Sequence, residues 1–259
     1  MDRTYWHKQE LGKPLFPDLL WSRPETKRAR GKLLVIGGHS EGFTAPARAY
    51  SEAVNSEIGS ARVLLPQHVQ KLLPKSFSEM EFVPSTPSGS FGRQALAELV
   101  TGAQWADGVL LAGDFGRNSE TAILLEQFIQ KYQGQLTLAQ DSLPYFFEQS
   151  LAVLDRKDTL IVPTFSQLQK LATGAGITKA FTSTMDLLHF IDALHVFTQT
   201  HSIALVTQHL ETIFVAVNGQ VSTTKSSAMD EVTLAAHAAV WWLQHPTKPF
   251  EAVTLSLLN

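Results

Sequence analysis

Short apolar runs alternate along the chain with longer stretches in which apolar residues recur at helical spacing. The first run, residues 33–36, is uninterrupted and partly β-branched, which is typical of a strand buried on both faces of a parallel sheet. Similar runs predict strands at 60–65, 81–84, 108–112, Gln135–Ala139, Thr159–Val162 and 203–207. Two more, Thr212–Val217 and residues 220–223, flank Asn218-Gly219, which predicts a hairpin.

The helical spacing predicts helices between these strands, at 45–54, 67–73, 95–103, 120–132, 143–149, 165–172, 186–198, 228–243 and 252–258. This alternation predicts an α/β fold, a three-layer α/β/α sandwich in which helices cover both faces of a mostly parallel central sheet. No interior linker or repeat divides the sequence, so we expect one domain over residues 1–259. Residues 1–30 are polar and contain prolines, which predicts an N-terminal arm lying over the domain, with a short helix near residues 16–21.

Composition narrows the class of protein. Of 259 residues, 44% are hydrophobic and 17% are charged, which suits a globular protein with a sizeable core. The net charge of −3 predicts neither a nucleic-acid nor an anionic-membrane partner. No cysteine is present, so disulfides and thiolate metal sites are excluded. The sequence shows no apolar signal core and no apolar run of about 18 residues, and we expect a cytoplasmic protein.

Two glycine-containing turns follow predicted strands and precede predicted helices. Gly37, Gly38 and His39 follow the first strand, and residues 113–118 follow the strand at 108–112. Glycines let backbone N–H groups approach a ligand, and α/β sheets bind ligands at the carboxyl ends of their strands. The same pattern also occurs in turns that bind nothing. His39 is either a cleft residue or an exposed loop residue without a role.

Two aspartates stand at the ends of other predicted elements. Asp141 follows a strand and either holds Mg²⁺ near phosphates or caps the next helix. Asp230 opens the last long helix, where a carboxylate is either a cap or a catalytic group. Trp241 and Trp242 are adjacent on that helix, so either both are core residues or one meets a neighbouring subunit. The nine histidines are scattered, and no zinc pattern is present.

These motifs occur in an order that resembles a known family. We identify two segments, PLFPDLLWSRPETKRARGKLLVIGGHSEGFTAPARAYSEAVNSEIGSARVLLP and ADGVLLAGDFGRNSET. They are similar to the opening and the glycine-rich segment of the ADP/ATP-dependent NAD(P)H-hydrate dehydratases, carbohydrate-kinase-like members of the ribokinase-like superfamily. The resemblance runs over about residues 14–244. It implies a ribokinase-like fold and a lyase reaction.

The resemblance also implies a ligand set. ATP or ADP with Mg²⁺ would drive the removal of water from hydrated NAD(P)H, with Asp230 as the catalytic base. The implied nucleotide-binding positions are Gly37, Gly38, His39, Gly113, Asp114, Gly116, Asp141 and Ser227. A small-molecule nucleotide is therefore the expected partner, and related enzymes imply a homo-oligomer.

Four site motifs depart from the family pattern. Asp141 is the one carboxylate left of an Asp-Ala-Asp-Ala-Leu strand end, and residues 162–167 lack the histidine and glutamate of a Thr-Pro-His-Pro-Gly-Glu turn. Thr207-Gln208 replaces Lys-Gly. Residues 227–230 keep the aspartate of a Gly-Thr-Gly-Asp or Gly-Ser-Gly-Asp motif but neither glycine. After the last long helix only residues 245–259 follow, where the family usually has further helices.

Loss of the glycines matters because bare N–H groups at a helix N-terminus bind phosphates. Three hypotheses follow: a working dehydratase, a degenerate relative that keeps a nucleotide pocket and acts by binding, and a small-metabolite, sugar-type kinase of the same superfamily. A kinase needs the same anion site and aspartate. The sequence therefore favours a divergent dehydratase-like protein, a pseudoenzyme or a weak enzyme.

Overall fold

The centre of the computed structural model is one sheet, to which every strand of the described residues, 3–72, 79–177, 181–225 and 229–258, contributes. The strands are β1 Trp6–Gln9, β2 Lys32–Gly37, β3 Ser60–Pro66, β4 Met80–Val83, β5 Gly108–Gly113, β6 Gln135–Ala139, β7 Thr159–Val162, β8 Ile203–His209, β9 Thr212–Val217 and β10 Gln220–Lys225. Their order is β1-β10-β9-β8-β7-β6-β5-β2-β3-β4. Only the pairs of β9 with β8 and with β10 are antiparallel.

Helices fill the connections between the strands. They are α1 Pro17–Trp21, α2 Thr44–Asn55, α3 Leu96–Trp105, α4 Ser119–Lys131, α5 Leu151–Leu154, α6 Phe165–Gly174, α7 Leu187–Thr200, α8 Glu231–Gln244 and α9 Pro249–Leu255. The helices predicted at 67–73 and 143–149 are 3₁₀ turns, Gln67–Leu72 and Gln140–Phe146. None of the helices within the described ranges is both long and apolar enough to cross a membrane.

Alternate side chains of the buried strands supply two separate cores. On β2, Leu34 and Ile36 belong to the core that contains α3, α4, α6 and α7, whereas Leu33 and Val35 belong to the core of α2, α8 and α9. Successive residues of a strand point to opposite faces, so a strand covered on both sides needs a continuous apolar run. The predicted three-layer arrangement around a mostly parallel sheet is confirmed.

The parallel strands place their carboxyl ends along one edge of the sheet. β2, β5, β6, β7 and β8 lie side by side and run in the same direction. The helices α2, α4, α6 and α8 begin at this edge, each after a strand that ends there. We call it the carboxyl edge, and the predicted site residues follow its strands.

The N-terminal arm includes a strand that the polar sequence pattern did not predict. Trp6–Gln9 pairs in parallel with β10 as the edge strand β1. Arg3 donates two hydrogen bonds to Asp192 on α7, with Nε–Oδ1 2.7 Å and Nη2–Oδ2 2.9 Å. The Tyr5 ring stacks on His195 with centroids 3.6 Å apart. Contacts with α7 therefore hold this edge of the sheet. The short helix expected near residues 16–21 is present as α1.

Both tryptophans of α8 are core residues. Trp241 and Trp242 are 1% and 6% exposed. Trp241 lies beneath the N-terminal arm, with the Arg23 guanidinium 4.5 Å from a ring centroid, and Trp242 packs in the core of α2, α8 and α9. Neither ring offers a large apolar surface to a neighbouring subunit, and the homo-oligomer stays a prediction.

The hairpin between β9 and β10 gives a test of the fold. Asn218 and Gly219 have φ of 48° and 78°, the left-handed pair that a two-residue turn of this kind requires. We expect Gly219→Ala to lower the free energy of unfolding by about 1–2 kcal/mol, because a Cβ disfavours the left-handed region. Urea denaturation followed by circular dichroism measures the change.

The matched control is Gly12→Ala, since a Cβ there meets nothing within 4 Å and its φ lies outside the left-handed region. We expect this variant to stay within about 0.5 kcal/mol of the wild type. Equal stability losses in the two variants would contradict the assignment of the turn.

Candidate functional site at the carboxyl edge

Two glycine loops touch where β2 and β5 end side by side. A Cβ on Gly37 would stand 2.5 Å from the carbonyl oxygen of Gly113. The Gly38 N–H donates to the same oxygen at 3.2 Å, and Gly38 and Gly113 have left-handed φ of 97° and 109°. Because these glycines let the two loops approach each other, the Gly38 amide is used inside the protein. Their role as ligand contacts stays a prediction.

Asp114 aims its carboxylate at the N-terminus of α2. Its Oδ2 accepts a hydrogen bond from the Ala45 N–H at 2.8 Å. The N-cap residue of α2 is Phe43, whose side chain cannot accept a hydrogen bond, so the helix has no cap from its own N-cap residue. A carboxylate from the β5 loop therefore occupies the positive end of this helix dipole, where the resemblance implied a nucleotide contact.

The same arrangement recurs at the other helices that begin at this edge. α4 is capped by Asn118, α6 by Thr164 and α8 by Asp230, and each of these side chains accepts hydrogen bonds from N–H groups of the first turn. The phosphate-binding groups of a helix N-terminus are its unpaired N–H groups. At these four termini a phosphate would have to compete with a side chain of the protein.

A pocket of about 790 Å³ opens beside the glycine loops. Three predicted residues, His39, Gly116 and Asp141, lie in its wall. The Nδ1 of His39 accepts a hydrogen bond from the Glu41 N–H at 3.1 Å, so the loop itself orients the ring. His39 therefore lies in the pocket wall, and its role as a ligand contact stays a prediction.

The rest of the pocket wall combines positive charge with aromatic surface. Arg117 and Lys170 line it with exposed side chains, and the Lys170 Nζ lies 5.6 Å from the ring centroid of Phe147. The Tyr145 hydroxyl donates to the carbonyl oxygen of Gly116, and burial raises the pKa of Tyr145 to about 12. Tyr145 is therefore neutral and fixes the loop. Cations beside rings suit a ligand that has anionic groups and a planar part.

A serine- and glycine-rich loop, residues 85–92, lies across both glycine loops. The Ser88 carbonyl oxygen accepts from the Ser40 hydroxyl at 3.1 Å, and the Ser88 hydroxyl accepts from Asn118 Nδ2 at 3.0 Å. Ser40 follows β2, and Asn118 follows β5. The loop therefore joins the two sides of the pocket mouth by direct hydrogen bonds.

Asp141 lies within the 3₁₀ turn Gln140–Phe146 and faces the neighbouring loop instead of capping the turn. Its Oδ2 accepts from the Phe115 N–H at 3.2 Å, whereas its Oδ1 is buried and has no hydrogen-bond partner among the described residues. Burial, followed by the charge of Asp114, raises the pKa of Asp141 above its usual range. Hydrogen bonds from backbone N–H groups and the nearby His39 oppose this increase. The capping alternative for Asp141 is therefore not realised.

Both oxygens of the Asp230 carboxylate are bound by neighbouring groups. Oδ1 accepts from the N–H groups of Val232 and Thr233 at 3.2 Å, Oδ2 accepts from the Thr233 hydroxyl at 2.7 Å, and Oδ2 lies 3.1 Å from Nη1 of Arg48 on α2. Burial favours a higher pKa, but the bonds from Thr233 and the charge of Arg48 outweigh it and lower the pKa of Asp230. The carboxylate is thus a cap and a poor proton acceptor. Its catalytic role stays a prediction.

The segment before α8 is tied to β8. The Met229 N–H donates to Oε1 of Gln208 at 3.4 Å, and Gln208 stands where the family has the glycine of a Lys-Gly pair. The Met229 side chain packs partly against the core of α2, α8 and α9. Ser227, the remaining implied nucleotide contact, lies outside the described residues.

Sequence reasoning missed several residues that shape this site. Lys170, Tyr145 and Phe147 were not identified, although an aromatic run at 145–147, shortly after β6, is a signal for a lined cleft near a strand end. Arg48 was also missed. Its pairing with Asp230 brings together residues far apart in the sequence, and no local pattern indicates it.

The contact of Asp141 with Mg²⁺ stays a prediction. No group of three or more His, Asp or Glu side chains among the described residues is arranged to hold a metal ion. Asp114 and Asp141 each accept a backbone N–H with one oxygen. Since Mg²⁺ is usually held by carboxylates together with substrate phosphates, we assign no step to it.

Solved structures show which fold this chain has. It is similar to a ribokinase-like superfamily protein from Enterococcus faecalis V583, with a TM-score of 0.73 and 16% identity over 100% of this chain and 87% of that one. It is also similar to an ADP/ATP-dependent NAD(P)H-hydrate dehydratase from Bacillus subtilis co-crystallized with ATP/Mg²⁺, with a TM-score of 0.65 and 11% identity over 95% of this chain and 86% of that one.

A third similarity is to a phosphomethylpyrimidine kinase from Clostridium difficile 630, with a TM-score of 0.52 and 11% identity over 87% of this chain and 96% of that one. No protein-family model and no curated protein sequence matches the chain. At these identities the similarities establish the fold and nothing finer. The fold is ribokinase-like, and this prediction is confirmed.

Capping by Asp230 can be tested through stability. We expect Asp230→Ala to lower the free energy of unfolding by about 0.5–2 kcal/mol, because α8 loses its cap. The pKa of Asp230 is depressed in the folded protein, so its stabilisation is present above the ordinary aspartate pKa of about 3.9 and is lost as the pH falls through the folded-state pKa. The stability difference between wild type and variant should therefore shrink in acid.

Asp230→Asn is the matched control for the cap, since asparagine caps helices about as well as aspartate. We expect it to keep most of the stability and to lose the pH-dependent part. A stability of Asp230→Asn as low as that of Asp230→Ala would show that charge pairing with Arg48, rather than capping, is what Asp230 contributes.

Proposed function

We propose that this protein binds a phosphorylated small molecule with a planar ring, a nucleotide or a nicotinamide dinucleotide, in the pocket beside the glycine loops. It is then a divergent relative of the NAD(P)H-hydrate dehydratases with little or no dehydration activity. One observation carries the proposal: side chains cap the four helix N-termini of the carboxyl edge, whereas Arg117 and Lys170 line an open pocket there.

The pocket has the size and chemistry for such a ligand. Its volume of about 790 Å³ lies within the range of about 300–1,000 Å³ that is usual for small-molecule sites. Arg117 and Lys170 supply donors and positive charge for phosphate oxygens. The partly exposed rings of Tyr145 and Phe147 offer a surface for a planar group. Anion binding would thus rest on side-chain cations instead of helix amides.

The state of Asp230 supports low turnover. A general base has to accept a proton near the working pH, and hydrogen bonds and Arg48 lower the pKa of this carboxylate. Met229 stands in place of a glycine, and its N–H is bound to Gln208. A kinase of this superfamily would depend on the same aspartate and anion site, so these observations count against that alternative as well.

The structural similarities support the ligand class. The dehydratase from Bacillus subtilis was co-crystallized with ATP/Mg²⁺, and the fold is shared with a kinase. We therefore propose ATP or ADP with Mg²⁺ and NAD(P)H as the ligands to test first.

Binding is tested by calorimetric titration of the protein with ATP, ADP, NADH and NADPH, each with Mg²⁺. We expect at least one of them to bind with micromolar strength, about −8 kcal/mol. Arg117→Ala and Lys170→Ala should each weaken it about tenfold, the cost of one charge-assisted hydrogen bond. Arg93→Ala is the control, because this exposed arginine does not line the pocket. Absence of binding by all four compounds would overturn the proposal.

Turnover is a separate measurement. The assay measures ATP- or ADP-dependent dehydration of hydrated NADH by the return of NADH absorbance. We expect the pure protein to show little or no such activity, because the Asp230 carboxylate caps α8 and pairs with Arg48. The Arg48→Ala variant removes the ion pair and so tests whether the pairing of Arg48 with Asp230 contributes to the low activity. Turnover at an ordinary enzyme rate of about 1–1,000 s⁻¹ that is abolished by Asp230→Asn would contradict the inactive interpretation.

A further inference from the structure

A groove runs along the edge of the sheet opposite the carboxyl edge, where the parallel strands begin. Two pockets there, of about 430 Å³ and about 200 Å³, share Asp158 and Trp242 in their walls and so adjoin. We call them together the amino-edge groove. The larger pocket has a volume that is usual for a small-molecule site. The starts of β5, β6 and β7 and the last turn of α8 bring together its wall residues, among them Asp107, Gln135, Asp158, Trp242 and Leu243.

Two exposed carboxylates line the larger pocket. Asp107 directly precedes β5, and its Oδ2 accepts a hydrogen bond from the Lys32 N–H at 2.9 Å, which holds the side chain in place. Asp158 directly precedes β7, and its carbonyl oxygen accepts from the Leu136 N–H at 2.9 Å. Only β6 separates β5 from β7, and neighbouring strands lie about 4.8 Å apart. One small ligand can therefore reach both carboxylates.

An amide oxygen that the protein does not use lies on the strand between them. Gln135 begins β6, is 8% exposed and lines the larger pocket. Its Nε2 donates to the carbonyl oxygen of Ala239 at 3.1 Å, which fixes the orientation of the amide. Oε1 receives no hydrogen bond from a described residue, and it is not sealed from solvent. Because polar atoms of buried side chains normally have a partner, a donor group in the groove would satisfy this oxygen.

The end of α8 adds negative potential to the same groove. Trp242 and Leu243 belong to the last turn of this helix, which ends at Gln244. The last carbonyl groups of a helix lack partners within it, and they give its C-terminus a partial negative charge that favours cations. Carboxylates, an amide oxygen and a helix C-terminus are all acceptors. An ammonium group, with three donors and no acceptor, is their complement.

Cations near the groove do not cancel this preference. Arg28 lines the larger pocket and Lys157 the smaller one, both with exposed side chains. Arg156 donates instead to the backbone carbonyl oxygens of Tyr132 and Gly134, at 2.6 and 2.8 Å. The larger pocket is therefore lined by two carboxylates and one cation, and that cation can meet a carboxylate of the ligand.

The floor of the groove is apolar. Trp242 is 6% exposed and lines both pockets, and Leu243 and Pro246 extend the apolar wall of the larger one. Apolar surface beside acceptor groups suits a short hydrocarbon chain that ends in a cation.

We propose that the amino-edge groove binds a small molecule with a primary ammonium group and a short apolar chain, an aliphatic amine or an amino acid. The ammonium group lies among Asp107, Gln135 and Asp158, and the chain lies on Trp242. In an amino acid the carboxylate lies toward Arg28. No covalent step is involved. The proposal is independent of the proposed function, because the groove and the pocket beside the glycine loops lie at opposite edges of the sheet.

Three probes that share one apolar chain test the ligand class. They are leucine, isoamylamine, which lacks the carboxylate, and isocaproate, which lacks the ammonium group. Each is titrated at low ionic strength, because salt screens exposed charges. The readout is the indole N–H signal of Trp242 in the nuclear magnetic resonance spectrum of the isotope-labelled protein, assigned by its absence from Trp242→Phe. We expect leucine or isoamylamine to bind with a dissociation constant of about 1 mM or below, and isocaproate to bind at least about tenfold more weakly.

Two substitutions remove the carboxylates and preserve the shape of the side chains. Asparagine tolerates the left-handed φ of 50° at Asp158, and in Asp107→Asn an oxygen remains for the Lys32 N–H. We expect Asp107→Asn and Asp158→Asn each to weaken binding about threefold and the double variant about tenfold, as for exposed charge pairs. Glu211→Gln is the matched control, since it removes one exposed carboxylate at the turn between β8 and β9, on the carboxyl edge. We expect it to bind like the wild type.

Each outcome decides the proposal. Binding of isoamylamine, of leucine or of both, weakened in the double variant, supports it, and the comparison of the two probes tells an amine from an amino acid. No shift of the Trp242 signal with either probe overturns it and leaves a groove that holds water. Isocaproate binding as tightly as leucine also overturns it, as do equal losses in Glu211→Gln and the double variant. The nucleotide titrations test the proposed function separately, so the failure of one proposal leaves the other standing.

Discussion

The contact between the ends of β2 and β5 is the constraint on which the site depends. The backbone of Gly37 touches the carbonyl oxygen of Gly113, and this is feasible only where neither residue has a side chain in the way. The contact positions His39 on one loop and Asp114 with Gly116 on the other. It also directs Asp114 to α2. In the sequence, the Gly37-Gly38 pair resembles a phosphate-binding turn. In the structure, the pair allows the backbones of two loops to come into contact.

The fold was readable because its signals are local and repeated. Strands covered on both faces require continuous apolar runs such as Leu33–Ile36. The Asn218-Gly219 pair predicted the two-residue hairpin turn that the structure contains. β1 was missed because an edge strand held by polar contacts has no apolar run. The pairing of Arg48 with Asp230 could not be inferred either, since it depends on how α2 packs against α8 and not on any spacing within one segment.

At the carboxyl edge, side chains of the protein occupy the helix N-termini that could otherwise bind anions. Helix N-termini attract anions through unpaired N–H groups, and in this chain aspartate, asparagine or threonine side chains occupy them. Capping of this kind adds stability to each helix. The positive charge available to a ligand is then carried by long, exposed side chains, Arg117 and Lys170, whose reach and orientation differ from those of a backbone cradle.

The pairing of β1 with β10 has a consequence for synthesis on the ribosome. β1 is translated well before β10, the strand that it joins, and nine of the ten described strands precede β10 in the chain. The hairpin of β9 and β10 needs only neighbouring residues, whereas β1 must bridge nearly the whole chain, and long closures are entropically costly and slow. The N-terminal arm therefore cannot dock before β10 has been made, and until it docks β10 presents an open strand edge that other chains can reach.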